Sequence, residues 1–179
     1  VKEDLNMRIA GVPEEEKPTV YVGGVSFQGT HGFDGTEAGY GPLKAIGAKN
    51  LADETGQTGP FNIELEKVLA WDPDVIFLDY NGLDLIQEDY ASNSEYYKQL
   101  TAVQKGNIYS QISFRSYASN LDLALADTYY AASVLYPEQF ADIDMKEKVS
   151  EIFETLLGDD ISEELEEHGY EFGQITIGK

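Results

Sequence analysis

Arginine is scarce in this chain, and one of its two arginines is placed where a ligand could reach it. The 179 residues carry 33 acidic side chains and a formal charge of -21, yet the only arginines are Arg8 and Arg115. Arg115 follows a strand-like segment, so its planar guanidinium could form hydrogen bonds with a carboxylate or a chelate oxygen. Tyr117, beside it, could stack on the ligand or donate a hydrogen bond. The alternative is an internal ion pair with an acid, but the position beyond a strand favours the ligand.

A glycine-rich stretch, residues 24–41, supplies a second set of candidate side chains. Its glycines cost conformational entropy, and long irregular segments in compact domains tend to be functional. The stretch has no lysine and matches neither the P-loop nor the dinucleotide fingerprint, which argues against a phosphate cradle. Its aromatic and polar side chains suit a large, partly flat ligand: they are Ser26, Phe27, His31, Phe33 and Tyr40. A surface loop packed on its own aromatic rings is the alternative.

Bare-metal binding and catalysis are less well supported. His31 with Asp34, Glu37 and Tyr40 could ligate iron or zinc, but their spacing fixes no coordination geometry. The sequence has no Gly-x-Ser-x-Gly nucleophile elbow and no cysteine, and the second histidine, His168, lies among acidic residues. We therefore expect neither an enzyme nor a resident cofactor.

The acidic composition restricts the partners. A formal charge of -21 repels nucleic acid and anionic membrane surfaces. No apolar run reaches the roughly 18 residues that a membrane span needs.

The first residues read as the middle of a helix and not as a signal peptide, so we expect the chain to be a fragment of a longer protein.

Apolar runs bounded by glycine and proline predict the elements that position these side chains. Buried strands are predicted at residues 19–23, 74–78 and 107–112. Helices are predicted at residues 42–46, 64–71, 94–100, 119–135 and 146–157. Ser119 with Asp122 resembles a capping pair for the longest helix. Strands that alternate with helices predict an α/β fold, a three-layer αβα sandwich with a mainly parallel sheet.

In such a sheet the ligand crevice lies beyond the carboxyl ends of the strands. The loops predicted there are residues 24–41, a turn at 79–82 and residues 113–118. We expect the first and last of these loops to lie on the same face of the sheet. Tyr80, in the turn, is a further candidate ligand-binding residue. The acidic residues 159–167 give only a weak secondary-structure signal.

Three sequence motifs, in the order in which they occur, resemble those of one protein family. Residues 66–76 read Glu-Lys-Val-Leu-Ala-Trp-Asp-Pro-Asp-Val-Ile, and residues 102–109 read Ala-Val-Gln-Lys-Gly-Asn-Ile-Tyr. Residues 20–33 combine a Val-Tyr-Val-Gly-Gly strand end with Gly-Thr-His-Gly-Phe. The pattern is similar to that of the C-terminal lobe of periplasmic binding proteins that serve iron-siderophore and cobalamin ABC importers.

The resemblance implies two lobes joined by one long helix, with the ligand between them. Residues 1–12 would be the end of that helix, residues 17–157 the C-terminal lobe, and residues 158–179 an acidic tail. The implied ligand is an iron chelate or related complex of siderophore, haem or cobalamin type, and the implied partner is the permease, which Glu66 would contact.

The implied location is extracytoplasmic, with the membrane reached through the transporter or a lipid anchor. A bare metal-ion binding module and the ligand-sensing lobe of a signalling protein are the open alternatives.

Overall fold

A computed structural model describes residues 2–115 and 118–178. Its strands are β1 (Thr19–Gly23), β2 (Gly35–Ala38), β3 (Lys49–Asn50), β4 (Gly59–Asn62), β5 (Val75–Asp79) and β6 (Ile108–Gln111). Four of them form a parallel sheet in the order β3-β1-β5-β6, and β2 pairs with β4 in a separate antiparallel ribbon. The three predicted strands form the centre and one side of the parallel sheet.

The helices are α1 (Lys2–Ile9), α2 (Gly41–Ala45), α3 (Leu65–Trp71), α4 (Tyr80–Tyr97), α5 (Thr101–Lys105), α6 (Leu121–Leu135), α7 (Met145–Leu157) and α8 (Ser162–Glu167). None in the described part of the chain is long and apolar enough to cross a lipid bilayer. Two more segments, Glu14–Glu16 and Leu51–Thr55, form short 3₁₀ helices.

Both faces of the parallel sheet are covered by helices. Val20 and Val22 of β1 lie in a core with residues of α1, α2, α6 and α7. Tyr21, between them, lies in a second core with residues of α3, α4 and α5. Because successive side chains of a strand point to opposite faces, this alternation places one helical layer on each side. The predicted αβα sandwich is confirmed.

Several local predictions are wrong. The helix predicted at residues 94–100 is the C-terminal end of α4, which is much longer and ends at Tyr97. Residues 79–82 do not form a free turn, because α4 begins at Tyr80 and the carboxylate of Asp79 caps it by accepting from Asn81 N at 2.9 Å. Residues 24–41 are not irregular throughout, because they contain β2.

The helix α6 also begins later than predicted. Its N-cap position is Asn120, and Ser119 with Asp122 forms no capping box. Ser119 instead pairs with Arg115 in an isolated antiparallel bridge, which closes the base of the loop between β6 and α6.

The acidic segment near the C-terminus is more ordered than its composition indicates. It forms α8, and the chain then runs antiparallel along the outer edge of β6, with a bridge between Tyr109 and Gln174. Ser110 N donates to Gly173 O at 2.9 Å, and Ile175 N donates to Ile108 O at 2.8 Å. Residues 173–175 therefore cover an edge that β6 would otherwise expose.

Candidate ligand-binding edge of the parallel sheet

The loops that follow β1 and β6 meet the end of β5 and the start of α4 at the carboxyl edge of the parallel sheet. Arg115, beyond β6, forms an ion pair with Glu37, which lies in β2 beyond β1. Ser113 donates to the carboxylate of Asp79 at the end of β5, and its hydroxyl oxygen accepts from Asn81 N at 3.1 Å. The expectation that these two loops share one face is confirmed by these contacts.

The Glu37–Arg115 pair is held firmly on the Glu37 side. The side chain of Glu37 is 6% exposed, whereas that of Arg115 is 35% exposed. The backbone of Glu37 pairs with Pro60 in the β2–β4 ribbon, and its carbonyl accepts from Asn50 Nδ2 at 2.9 Å. The guanidinium lies 4.9 Å above the ring of Phe114. The half-exposed Arg115 is thus fixed between a buried anion and an aromatic face.

Buried polar groups lie beneath this ion pair. Burial raises the pKa of Asp79 to about 6, although hydrogen bonds from Ser113 and Asn81 and the charge of Arg115 act in the opposite direction. Burial also raises the pKa of Asp127 in α6, which accepts from Ile112 N at 2.8 Å.

The hydroxyl of Tyr40 and the second carboxylate oxygen of Asp127 have no hydrogen-bond partner among the described residues. Incompletely bonded buried polar atoms of this kind commonly bind ordered water. This cluster of buried polar side chains (Tyr40, Asp79 and Asp127) is not predicted from the sequence. Two features of the sequence indicate it: an aspartate inside the apolar helix α6 and another at the end of an apolar strand.

A protruding loop forms the side of the edge that follows β1. Its base is closed by hydrogen bonds from Gly24 N to Gly32 O and from Val25 N to Gly35 O, both at 3.0 Å. Above the base, the rings of Phe27 and His31 stack with centroids 4.0 Å apart, and His31 Nε2 lies 2.8 Å from the carbonyl oxygen of Phe27. Both side chains are half-buried. The stack presents a flat surface of the kind that an aromatic or chelate ligand contacts.

The remaining candidates lie in different surroundings. Phe33 is 3% exposed and packs against Tyr21 and Tyr97, and Tyr40 is 1% exposed against Phe114. The expectation that these two rings offer free surface to a ligand is wrong, because both fill the core. Sequence alone could not separate them from Phe27, since all three lie in one glycine-rich stretch.

Four other candidates complete the set. Ser26 is half-buried, and its hydroxyl finds no partner in the described part of the chain. The hydroxyl of Tyr80 donates to Glu171 O at 2.8 Å, so Tyr80 anchors the C-terminal segment. Tyr117 lies outside the described residues. Glu66 is exposed in the first turn of α3.

The described residues do not form a site for a bare metal ion. Within residues 2–115 and 118–178, no group of three histidine or carboxylate side chains could hold a metal ion. Two surface grooves of about 530 and 460 Å³ lie elsewhere, beside α7 and α8 and beside α1, α2 and α6. Neither groove is lined by Glu37 or Arg115.

Solved structures identify the class of protein that has this fold. The molybdate periplasmic binding protein MolA of Haemophilus influenzae superposes with a TM-score of 0.68 at 17% identity, covering 96% of this chain and 49% of MolA. CeuE of Helicobacter pylori, in its nickel–histidine complex, has a TM-score of 0.66 at 17% identity, covering 93% and 52%. An ABC-type Fe3+-hydroxamate transport system of Saccharomonospora viridis gives 0.52 at 20% identity, covering 75% and 47%.

The fold is therefore that of a lobe of the TroA-like periplasmic binding proteins of ABC transporters. The chain spans about half the length of the structures it matches. No family model and no curated protein matches its sequence.

Proposed function

We propose that this chain is the C-terminal lobe of the substrate-binding component of an ABC importer. It captures an iron chelate or a related metal complex between two lobes and delivers it to the permease, outside the cytoplasm. The observation that carries the proposal is the meeting of the carboxyl ends of β1, β5 and β6 through the Glu37–Arg115 and Asp79–Ser113 contacts. Ligands of open α/β sheets bind at this edge, and one lobe supplies one wall of the site.

In this proposal the ligand wall is formed by Ser26, Phe27, His31 and Arg115. Glu37 engages Nη1 of Arg115, and a guanidinium carries five donors, so the ion pair leaves donors for an oxygen of the chelate. The Phe27–His31 stack supplies apolar surface. The metal arrives as part of the cargo, and no residue is assigned a catalytic role.

Calorimetric titration of the full-length protein tests this function. The ligands are a ferric trihydroxamate, a ferric tricatecholate, haem, cobalamin and free Fe(III). We expect saturable binding of a complex, and a loss of about tenfold or more in affinity in Arg115→Ala, because a charge-assisted hydrogen bond is removed. Arg8→Ala is the matched control, since Arg8 pairs with Asp142 and Asp4, which belong to neither the meeting loops nor the ligand wall. Binding of free Fe(III) alone, or of nothing in the panel, would overturn the proposal.

A second part of the proposal concerns Glu66. Its exposed carboxylate in the first turn of α3 is placed to meet basic residues of a permease. We expect Glu66→Lys to reduce transport while the ligand dissociation constant stays unchanged. Glu163→Lys is the matched control, because Glu163 is also an exposed acid in the first turn of a helix. Equal uptake by the two variants would remove Glu66 from the interface.

A further inference from the structure

The charges around the candidate edge are unbalanced. Three segments form it: residues 24–41, residues 79–84 and residues 112–122. Arg115 is the only arginine in their sequence, and every lysine of the chain lies outside them. The acids in the same segments are Asp34, Glu37, Asp79, Asp84 and Asp122. A ligand that approaches this edge therefore meets a negative field.

The single cation of the edge already has a partner. Arg115 pairs with Glu37, whose carboxylate is buried and whose strand is held by β4 and Asn50. An anionic ligand that captured the guanidinium would leave the Glu37 carboxylate buried without its counter-ion. Because the Glu37 carboxylate is buried, the loss of its counter-ion is unfavourable, and Glu37 therefore competes with every anionic ligand for Arg115.

The edge also carries exposed apolar side chains. Leu121, the first residue of α6, is 73% exposed, and Leu85 in α4 is 40% exposed beside Gly32. Together with the Phe27–His31 stack, these side chains can cover an uncharged surface. The edge thus combines apolar contact area with an excess of negative charge.

We infer that Glu37 is a specificity-determining residue, which directs this edge towards neutral or cationic metal chelates and against anionic ones. The inference rests on the proposed function. Glu37 acts by holding Arg115 and by adding negative charge beneath the ligand. A neutral chelate still receives hydrogen bonds from the free donors of Arg115, whereas an anionic chelate gains no unpaired cation.

Three forms of one chelate test the inference without changing its metal-binding groups. Ferrioxamine B, a ferric trihydroxamate, is titrated into the full-length protein with its terminal amine free, acetylated or succinylated, which makes it cationic, neutral or anionic. We expect the anionic form to bind about tenfold more weakly than the other two at low salt, with a smaller difference at high salt. This comparison needs no variant protein.

The role of Glu37 is tested by Glu37→Gln, an isosteric change that removes the charge. The variant should bind the anionic form more tightly and reduce the discrimination several-fold, and its circular dichroism spectrum and cooperative urea denaturation show whether it is folded. Glu138→Gln, an exposed acid beyond α6, should leave the discrimination unchanged.

Three results would contradict the inference. They are a preference for the anionic form, equal affinities for all three forms, and discrimination that persists in Glu37→Gln. If another complex of the calorimetric panel binds but no form of ferrioxamine does, the inference alone fails. If nothing in that panel binds, the proposed function fails with it.

Discussion

Asp79 has two roles at the end of β5 that make opposite demands on its charge. Its carboxylate caps α4 through Asn81 N and accepts from Ser113, and both bonds favour the ionised form. Burial favours the neutral form more strongly, and the pKa lies at about 6 instead of 3.8. The folded state therefore holds a proton that the unfolded state releases between these two values, so stability falls as pH rises through that window.

Asp79→Asn should remove this pH dependence, because the amide oxygen can keep both hydrogen bonds without a charge. Relative to the wild type, the variant should become more stable by about 3 kcal/mol between pH 4 and pH 7. Urea denaturation at a series of pH values measures the difference. An Asp79→Asn variant whose stability parallels the wild type across the series would show that the carboxylate titrates normally.

At the scale of elements, the first turn of α4 packs directly on the loop that follows β1. A Cβ atom at Gly82 would lie 2.5 Å from His31 O and 2.7 Å from Gly24 O, and real Cβ atoms do not come so close to backbone. Gly24 itself adopts φ of 77°, in the left-handed region. This contact fixes the base of the protruding loop against the helix.

Gly82→Ala should destabilise the protein by about 1–3 kcal/mol, because the added methyl group forces the helix and the loop apart. Gly41→Ala, in the first turn of α2, provides the control, since a Cβ there meets nothing within 4 Å and φ is not positive. Both are compared by urea denaturation. Equal unfolding free energies of the two variants would show that the loop accommodates the added methyl group without destabilisation.

The segment beside β6 is held by core packing as well as by backbone hydrogen bonds. Ile177 is 6% exposed within the core of α3, α4 and α5. Ile177→Ala should cost about 2–5 kcal/mol of unfolding free energy, as for other buried isoleucines. Leu157→Ala, at a side chain that is 49% exposed, should cost less than about 1 kcal/mol. A negligible effect of Ile177→Ala in the same denaturation experiment would show that the segment is detached in solution.

Sequence patterns predict β1, β5, β6 and the long helices α6 and α7, but they miss β2, β3, β4, α5, most of α4 and the long-range contacts. Short runs such as Thr-Val-Tyr-Val-Gly identify strands because β-branched and aromatic side chains pack on a pleated surface. Asp79, Asn81 and Gly82 together predict a turn because these residue types dominate turns, whereas in the structure Gly82 is required by a close tertiary approach.

The partner of Arg115 could not be predicted, because 78 residues separate it from Glu37 and 33 acids compete for the role. The position of Arg115 beyond a parallel strand was nevertheless sufficient to place it at the correct edge. Burial of Phe33 and Tyr40 depends on how the glycine-rich stretch folds back, which no local pattern encodes.

At the scale of the whole molecule, the excess of acidic residues acts on folding itself. With 33 acids and 12 bases, repulsion between surface charges opposes the compact state, and ion pairs such as Arg8–Asp142 offset only a small part of it. Screening by salt weakens this repulsion more than it weakens the few pairs.

The melting temperature should therefore rise as NaCl increases from about 0.01 M to about 0.5 M, with most of the rise at the lower concentrations where the Debye length changes most. Scanning calorimetry measures the effect, and KCl should give the same increase if screening is the cause. A melting temperature that falls with either salt would show that attractive pairs dominate.

The pairing of β6 with residues 173–175 has a consequence for biosynthesis. Ser110 and Gly173 are 63 residues apart, so β6 leaves the ribosome long before the segment that covers its edge. During translation the nascent sheet presents a row of unpaired backbone groups on that side, the kind of edge at which chains associate wrongly. Chaperone demand should thus be greatest in the interval between synthesis of β6 and release of the covering segment.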